Sequence, residues 1–243
     1  MGNQKYTCLM YHQTTLPAVT KYYIGIDAFE QQIKRFVELK GISFIPNMTK
    51  IDNQNVPVCL FTFDDGHKSN LEAGRILAKY GLRGIFYVVK DFSLHNSDFL
   101  NETNIKELAS MKQIIAVHGK DHLHWSTKPD KQLVNELRET KEWIENLTGE
   151  KVFSCAAPGG VINKRVIETI KQELPEFKFL RTVKVGDNIN ESYLINIIPI
   201  HTSTTLADFE KAVLNDKVFY TKQKFIYRAK EVLRPIYNLV GNK

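Results

Sequence analysis

The chain has 243 residues, of which 43% are hydrophobic and 25% charged, a composition that suits a soluble globular body with a large core. The formal charge of +6 lies in the tail: residues 217–243 carry seven basic side chains against Glu231 alone, so residues 1–216 sum to zero. A body with no basic footprint argues against a nucleic-acid binder. Cys8, Cys59 and Cys155 lie in short apolar or small-residue runs and do not make a disulfide framework, which predicts buried free thiols. No long apolar stretch precedes Tyr11, so no secretory leader is read there, and no run approaches the length of a membrane span. The expected compartment is therefore the reducing cytoplasm.

Tyr6–Met10 is predicted to be a first strand. Asp27–Leu39 follows with a helical pattern, Phe29, Ile33, Phe36 and Val37 falling near one face. Asp27 is placed to cap its start and Gly41 to end it. Ile42–Ile45 is a second apolar run. Val56–Phe63 is a third, and it leads directly into Asp64-Asp65-Gly66. Ser69, with Glu72 three residues on, reads as a capping box for a helix ending near Tyr80-Gly81. Gly84–Val89 is an apolar strand, Asn104–Met111 a helix, and Ile114–Val117 a strand ending at His118. Asp130–Leu147 carries the helical stripe Leu133, Leu137, Ile144 and Leu147. A strand at Lys151–Cys155, a helix at Asn163–Gln172 and a short strand at Phe177–Leu180 come next. Tyr193–Ile200 is a strand ending at His201, and the helix Leu206–Leu214 closes the body. Short apolar strands without alternation are covered on both faces, as in parallel sheets. More than six strand–helix repeats in about 215 residues favour closure into a barrel over an open sheet.

The polar residues of interest share one position. Asp64, Asp65, His118 and His201 all follow apolar strands, and the carboxyl ends of barrel strands are where active sites form. Adjacent carboxylates repel unless a cation sits beside them. Asp64-Asp65 therefore reads either as a metal-and-base pair or as an ordinary Asp-Asp-Gly turn. His118 and His122 fall on one side if their segment makes a helical turn. Two imidazoles and a carboxylate suit zinc, and equally cobalt, nickel or manganese. The bland alternative is a polar surface loop. If His118 and His122 are ligands, His124 would point elsewhere; Trp125 would either wall a sugar-sized site or pack in the core. A site of two His and one Asp keeps open positions where water becomes a nucleophile at neutral pH. Asp64 is a natural general base for it, and His201 is either the general acid or a structural histidine.

Thr62-Phe63-Asp64-Asp65-Gly66 resembles the first motif of the polysaccharide deacetylase family, also called the NodB-homology domain or carbohydrate esterase family 4. His118-Gly119-Lys120-Asp121-His122 is similar to its second motif, His-Ser/Thr-x-x-His. Tyr11-His12 is similar to an extended N-terminal portion of many members, and the resemblance spans roughly residues 5–215. It implies a distorted (β/α)₇ barrel of the NodB-homology type over residues 1–216. It also implies Asp64 as base, Asp65, His118 and His122 as ligands of one divalent ion, and His201 as acid. Trp125, Pro158, Gly159 and Gly160 are the expected substrate contacts. The third motif here reads Cys155-Ala156-Ala157-Pro158-Gly159-Gly160, without the arginine that holds the base in the family. The fourth motif, of Asp-x-x-Asp-Trp type, has no match around Arg181–Asn188. Arg181 or Lys184 is the candidate to supply the missing charge.

The function so implied is removal of an N-acetyl group from an amino sugar in a glycan or glycan precursor. The alternatives are an O-acetyl esterase or small-molecule amidase on the same site, and a non-catalytic sugar-binding or membrane-associated protein. Residues 217–243 form a basic amphipathic tail, with Phe225, Ile226, Ala229, Val232, Leu233, Ile236, Tyr237 and Val240 at helical spacings and Pro235 expected to kink or divide the helix. Such a segment either covers the barrel or lies on an anionic membrane surface. In the second case the protein would sit at the inner face of the membrane, and a lipid-linked sugar would be a fitting substrate. The sequence points to no particular oligomeric state.

Overall fold

Strand alternation builds the architecture. The computed structural model describes residues 5–15, 23–43, 56–189 and 192–240, the last eleven as backbone alone. Its strands are β1 (Lys5–Tyr11), β2 (Ile42–Ser43), β3 (Val58–Phe63), β4 (Gly84–Val88), β5 (Ile114–Val117), β6 (Ser154–Ala156), β7 (Phe179–Val185), β8 (Asn188–Ile189) and β9 (Leu194–Pro199). β1 pairs in parallel with β3, from Thr7 opposite Cys59 to Tyr11 opposite Phe63, and on its other edge with β9. That double pairing closes the ring β1-β3-β4-β5-β6-β7-β9, a distorted parallel (β/α)₇ barrel. β2 extends the start of β3, and β8 runs antiparallel to the start of β1. The distortion has two sources. β5 and β6 share the single register pair Val117–Cys155, and the β7–β9 register shifts between Arg181 and Val185.

The strands read as unbroken apolar runs because both of their faces are buried. One face gives a cluster of strand residues alone, including Tyr6, Cys8, Met10, Leu60, Tyr87 and Ile195, which fills the barrel. The alternate residues, among them Leu9, Phe61, Phe63, Phe86 and Val117, join the helices in a larger outer cluster. The helices are α1 (Ile26–Glu38), α2 (Asn70–Lys79), α3 (Lys90–His95), α4 (Glu102–Ser110), α5 (Asp130–Thr148), α6 (Lys164–Glu173), α7 (Leu206–Val213) and α8 (Lys217–Val240).

Several local expectations change. Gly25 rather than Asp27 occupies the cap position of α1, and Asp27 lies in its first turn. Ser69 precedes α2 but makes no cap hydrogen bond. Its hydroxyl meets His67 Nδ1 at 2.9 Å and accepts from the Thr14 amide at 2.9 Å, so tertiary contacts override the capping box. Reciprocal capping boxes instead open α4, between Asn101 and Asn104, and α7, between Thr205 and Asp208. The expected run Ile42–Ile45 is a strand at Ile42–Ser43, and its last two residues lie outside the described residues. β7 runs on to Val185, past the expected end at Leu180. α8 begins at Lys217, packs on β7 and α7, and continues through Pro235 without dividing. All three cysteines are buried and free, as expected.

Phe63 locks the end of β3. Its ring stacks on Phe86 at 4.5 Å and on Tyr11 at 5.2 Å, and meets Phe29 edge-on at 5.7 Å. Phe63→Ala is expected to lower the unfolding free energy by about 3–5 kcal/mol. Urea unfolding followed by circular dichroism measures this, and a loss below about 1 kcal/mol would contradict the locking role.

Candidate active site

β3 sends Val58, Leu60 and Thr62 in one direction, and Asp64 continues that alternation at the strand's carboxyl end, 3% exposed. The Asp64 amide donates to Tyr11 O at 2.9 Å, holding it to β1. Asp65 then adopts φ +69° and Gly66 φ +71°, so the chain turns sharply and the two carboxylates diverge. An Asp in the left-handed region is uncommon but tolerated. Gly66 is needed for a second reason: a Cβ there would lie 3.1 Å from Val88 Cγ1.

His118 leaves β5 buried, its amide bonded to Val88 O at 2.9 Å. The segment after it is a loop, not a helical turn, and it turns through Gly119 at φ +90° and His122 at φ +61°. The loop is held from outside. Lys90 and Asp91 amides reach Gly119 O and Lys120 O, while the buried Lys128 ammonium pairs with Asp121 and Glu136. His118 Nε2 and His122 Nε2 thereby approach the same oxygen, Asp65 Oδ1, at 3.2 and 3.1 Å.

This trio fits a divalent metal. One ligand atom from each of Asp65, His118 and His122 lies within 4.8 Å of the others. His118 Nδ1 is 2.8 Å from Ala156 O, and a carbonyl can only accept, so Nδ1 carries a proton. In the neutral ring Nε2 is then a bare acceptor facing a carboxylate oxygen, an arrangement that calls for a cation between them. When the imidazoles donate to Asp65 instead, their contacts outweigh the burial that would raise its carboxyl and hold the group well below the carboxylate range. The contact with Asp65 raises His122 in turn, against its burial.

Asp64 is held differently. Its Oδ2 accepts from Arg181 Nη2 on β7, and the Arg181 side chain is 1% exposed. The guanidinium also donates to Thr182 O at 3.2 Å and lies 5.1 Å from the centre of the Tyr87 ring. Asp64 Oδ1 is buried and has no hydrogen-bond partner among the described residues. It is thus an acceptor kept open beside the Asp-His-His trio. Arg181 supplies the charge missing from the third motif, whereas Lys184 is exposed.

Asp64, Asp65, His118 and His122 line a cavity of about 340 Å³, together with His12 and His201. His12 follows β1, and its Nε2 is 4.0 Å from Asp64 Oδ2. His201 follows β9, its amide donating to Thr204 Oγ1 at 2.9 Å. Of the expected substrate contacts, Gly159 and Gly160 line the cavity and the other two do not. Trp125 is 1% exposed and belongs to the outer core cluster. Its indole nitrogen would be 3.1 Å from a Cβ on Gly119, so it props the histidine loop from beneath rather than walling the cavity. Pro158 is likewise buried against Gly119. His124 packs toward Gly159 and is not one of the three clustered ligand side chains.

The motifs give His12 no chemical role, and they leave Arg181 as one of two candidates for the missing charge. His12 obeys the same strand-end rule as Asp64. Arg181 is harder to read, because it lies inside a strand whose apolar run stops one residue earlier.

A trio of this chemistry at the carboxyl mouth of a (β/α)₇ barrel is a candidate centre for metal-dependent hydrolysis. The family model for polysaccharide deacetylases matches residues 52–173, and the chain belongs to that family. Among curated relatives, the peptidoglycan-N-acetylglucosamine deacetylase of Bacillus cereus is 26% identical over 120 residues, covering 49% of this chain and 54% of that protein. The chain spans about half the length of the curated relatives it matches. Among solved structures, the polysaccharide deacetylase BC0361 of Bacillus cereus superposes with a TM-score of 0.76 at 23% identity, over 87% of this chain and 69% of that one. The Streptococcus pyogenes deacetylase PplD, solved in complex with acetate, gives 0.77 at 18% identity, over 87% and 99%. At these identities the two structures speak to the fold.

Arg181 and Asp64 are expected to be energetically coupled. Arg181→Met leaves a buried carboxylate unpaired and is expected to destabilise the protein by about 3–5 kcal/mol. Adding Asp64→Asn should recover part of that loss. A double-mutant cycle in urea measures the coupling, and additivity within about 0.5 kcal/mol would rule it out.

Proposed function

We propose that the protein is a metal-dependent deacetylase that removes an N-acetyl group from an amino sugar in a glycan or glycan precursor. The observation that carries this reading is the open, buried Asp64 Oδ1 beside the Asp65–His118–His122 trio. Family membership supports it, as does the amino-sugar deacetylase among the relatives. Zinc is the proposed metal, on the strength of two imidazoles and one carboxylate; cobalt, nickel and manganese take the same donors. Asp65, His118 and His122 would hold a divalent ion, which would supply Lewis acidity to the acetyl carbonyl and the attacking water. Asp64 Oδ1 takes the proton of that water, while Arg181 fixes the other carboxylate oxygen. His201 gives a proton to the departing nitrogen. His12 is a second reading for this donor, favoured by its 4.0 Å approach to Asp64.

Asp64→Asn is expected to lower kcat by about a hundredfold or more with metal content unchanged. Metal analysis and a panel of N-acetylated sugars, scored for released acetate and free amine, check this. Turnover near wild type would remove Asp64 from the mechanism. The same panel run with O-acetylated sugars separates amide from ester hydrolysis. His12→Ala and His201→Ala identify the proton donor. Loss of the donor should cost about 10²-fold on the amide and far less on an aryl acetate, whose leaving group needs no proton.

A peripheral contact of residues 217–243 with the inner face of an anionic membrane is part of the proposal, with a lipid-linked amino sugar as substrate. On α8, Val218 is 78% and Phe225 73% exposed, seven residues apart on one face, with Lys222 and Arg228 exposed beside them. No helix among the described residues is long and apolar enough to cross a membrane. The three buried free thiols support the reducing cytoplasmic side. The protein should sediment with vesicles rich in phosphatidylglycerol and not with pure phosphatidylcholine, and Phe225→Glu should weaken that binding. Equal recovery with both vesicles would refute the contact.

A further inference from the structure

The cavity has two unlike kinds of lining. Asp64, Asp65 and the histidines are polar; Met10, Val183, Val185, Ile197 and Pro199 are apolar, and α8 adds the ring of Tyr227. Tyr227 lies beyond residues 52–173, the stretch matched by the family model. It comes to the cavity because α8 is anchored at its first turn. Asp216 Oδ1 accepts from the Phe219 amide at 2.7 Å, and Phe219 and Tyr220 are buried. Tyr220 Oη and Thr7 Oγ1 share a hydrogen bond of 2.7 Å. Tyr227 follows Tyr220 by seven residues, about two helical turns, and so projects from the same face. Between them, Lys224 Nζ meets Asp187 Oδ1 at 3.3 Å and ties the helix to the turn after β7. The wall is close-packed: a Cβ on Gly160 would lie 2.1 Å from Val183 Cγ2.

We propose that Tyr227 is a specificity-determining residue of this site, an aromatic platform for the carbon–hydrogen face of one pyranose ring whose acetamido group points to Asp64 and the trio. A pyranose presents polar groups around its rim and an apolar face, which matches the mixed lining of the cavity. Tyrosine suits the position because its body is apolar and its tip polar. The volume of about 340 Å³ is at the low end for small-molecule sites and takes a single sugar unit. Trp125, the aromatic that the sequence offered as a wall for the sugar, is buried and leaves this role open.

The inference rests on the deacetylase reading, so its test uses binding rather than turnover. In an Asp64→Asn background reconstituted with zinc, calorimetric titration with the trimer of N-acetylglucosamine gives Kd directly. Tyr227→Ala is expected to weaken binding about tenfold or more, with Tyr227→Phe within about threefold of the parent, in line with the value of aromatic stacking. Tyr227→Leu, which keeps apolar volume, should resemble Tyr227→Ala. An equal Kd for parent and Tyr227→Ala would overturn the proposal, as would no binding by either, or full recovery by Tyr227→Leu. Failure of the deacetylase reading shows separately, as no release of acetate by the zinc-loaded wild-type protein in the sugar panel.

Discussion

A carboxylate at the end of an apolar strand, inside a closed barrel, has to be compensated from within. Asp64 is compensated by Arg181, which crosses the barrel interior from β7 to meet it. Moving both charges out of water carries a penalty that their attraction offsets only with good geometry and further hydrogen bonds. Arg181 has those extra contacts in Thr182 O and the face of Tyr87. The pair leaves one Asp64 oxygen satisfied and the other open. The chemistry proposed for the site depends on that asymmetry, because a carboxylate satisfied at both oxygens would be a poor base. The pair also ties β3 to β7, two strands that are not neighbours in the ring.

The trio beside it uses backbone in an unusual way. Asp65 and His122 both have positive φ. Residues so placed persist only where their surroundings over-determine them. Here Gly66, the Lys128 ion pairs and the buried Trp125 do so. Imidazoles already gathered to 3.1–3.2 Å of one Asp65 oxygen need little rearrangement to take up an ion.

The chain's own pattern disclosed much of this and concealed some of it. Apolar strands ending in Asp64, His118 and His201 were legible because position in a barrel and residue chemistry agree. The histidine pair was legible as a pair, but its four-residue spacing suggested a helical turn where left-handed loop residues do the work of convergence. Ser69 looked like a helix cap and is taken by His67 and Thr14, partners whose proximity no local pattern reveals. Arg181 sits where a charge breaks the apolar run, so the strand seemed to stop just before the residue that points to Asp64. Trp125 shows the opposite difficulty, since an aromatic beside a polar cluster has the same local signature whether it faces the cavity or the core.

The narrow join between β5 and β6 has a consequence of its own. With the single register pair Val117–Cys155 there, the bond from His118 to the Ala156 carbonyl is a second stitch across the same seam. What β6 contributes to the trio at this point is main chain, which every amino acid carries. Residue 156 can therefore drift without disturbing the orientation of His118, provided the new side chain fits the barrel. A motif arginine could disappear from this strand while one on β7 took over its partner, and the imidazole next door would register no change.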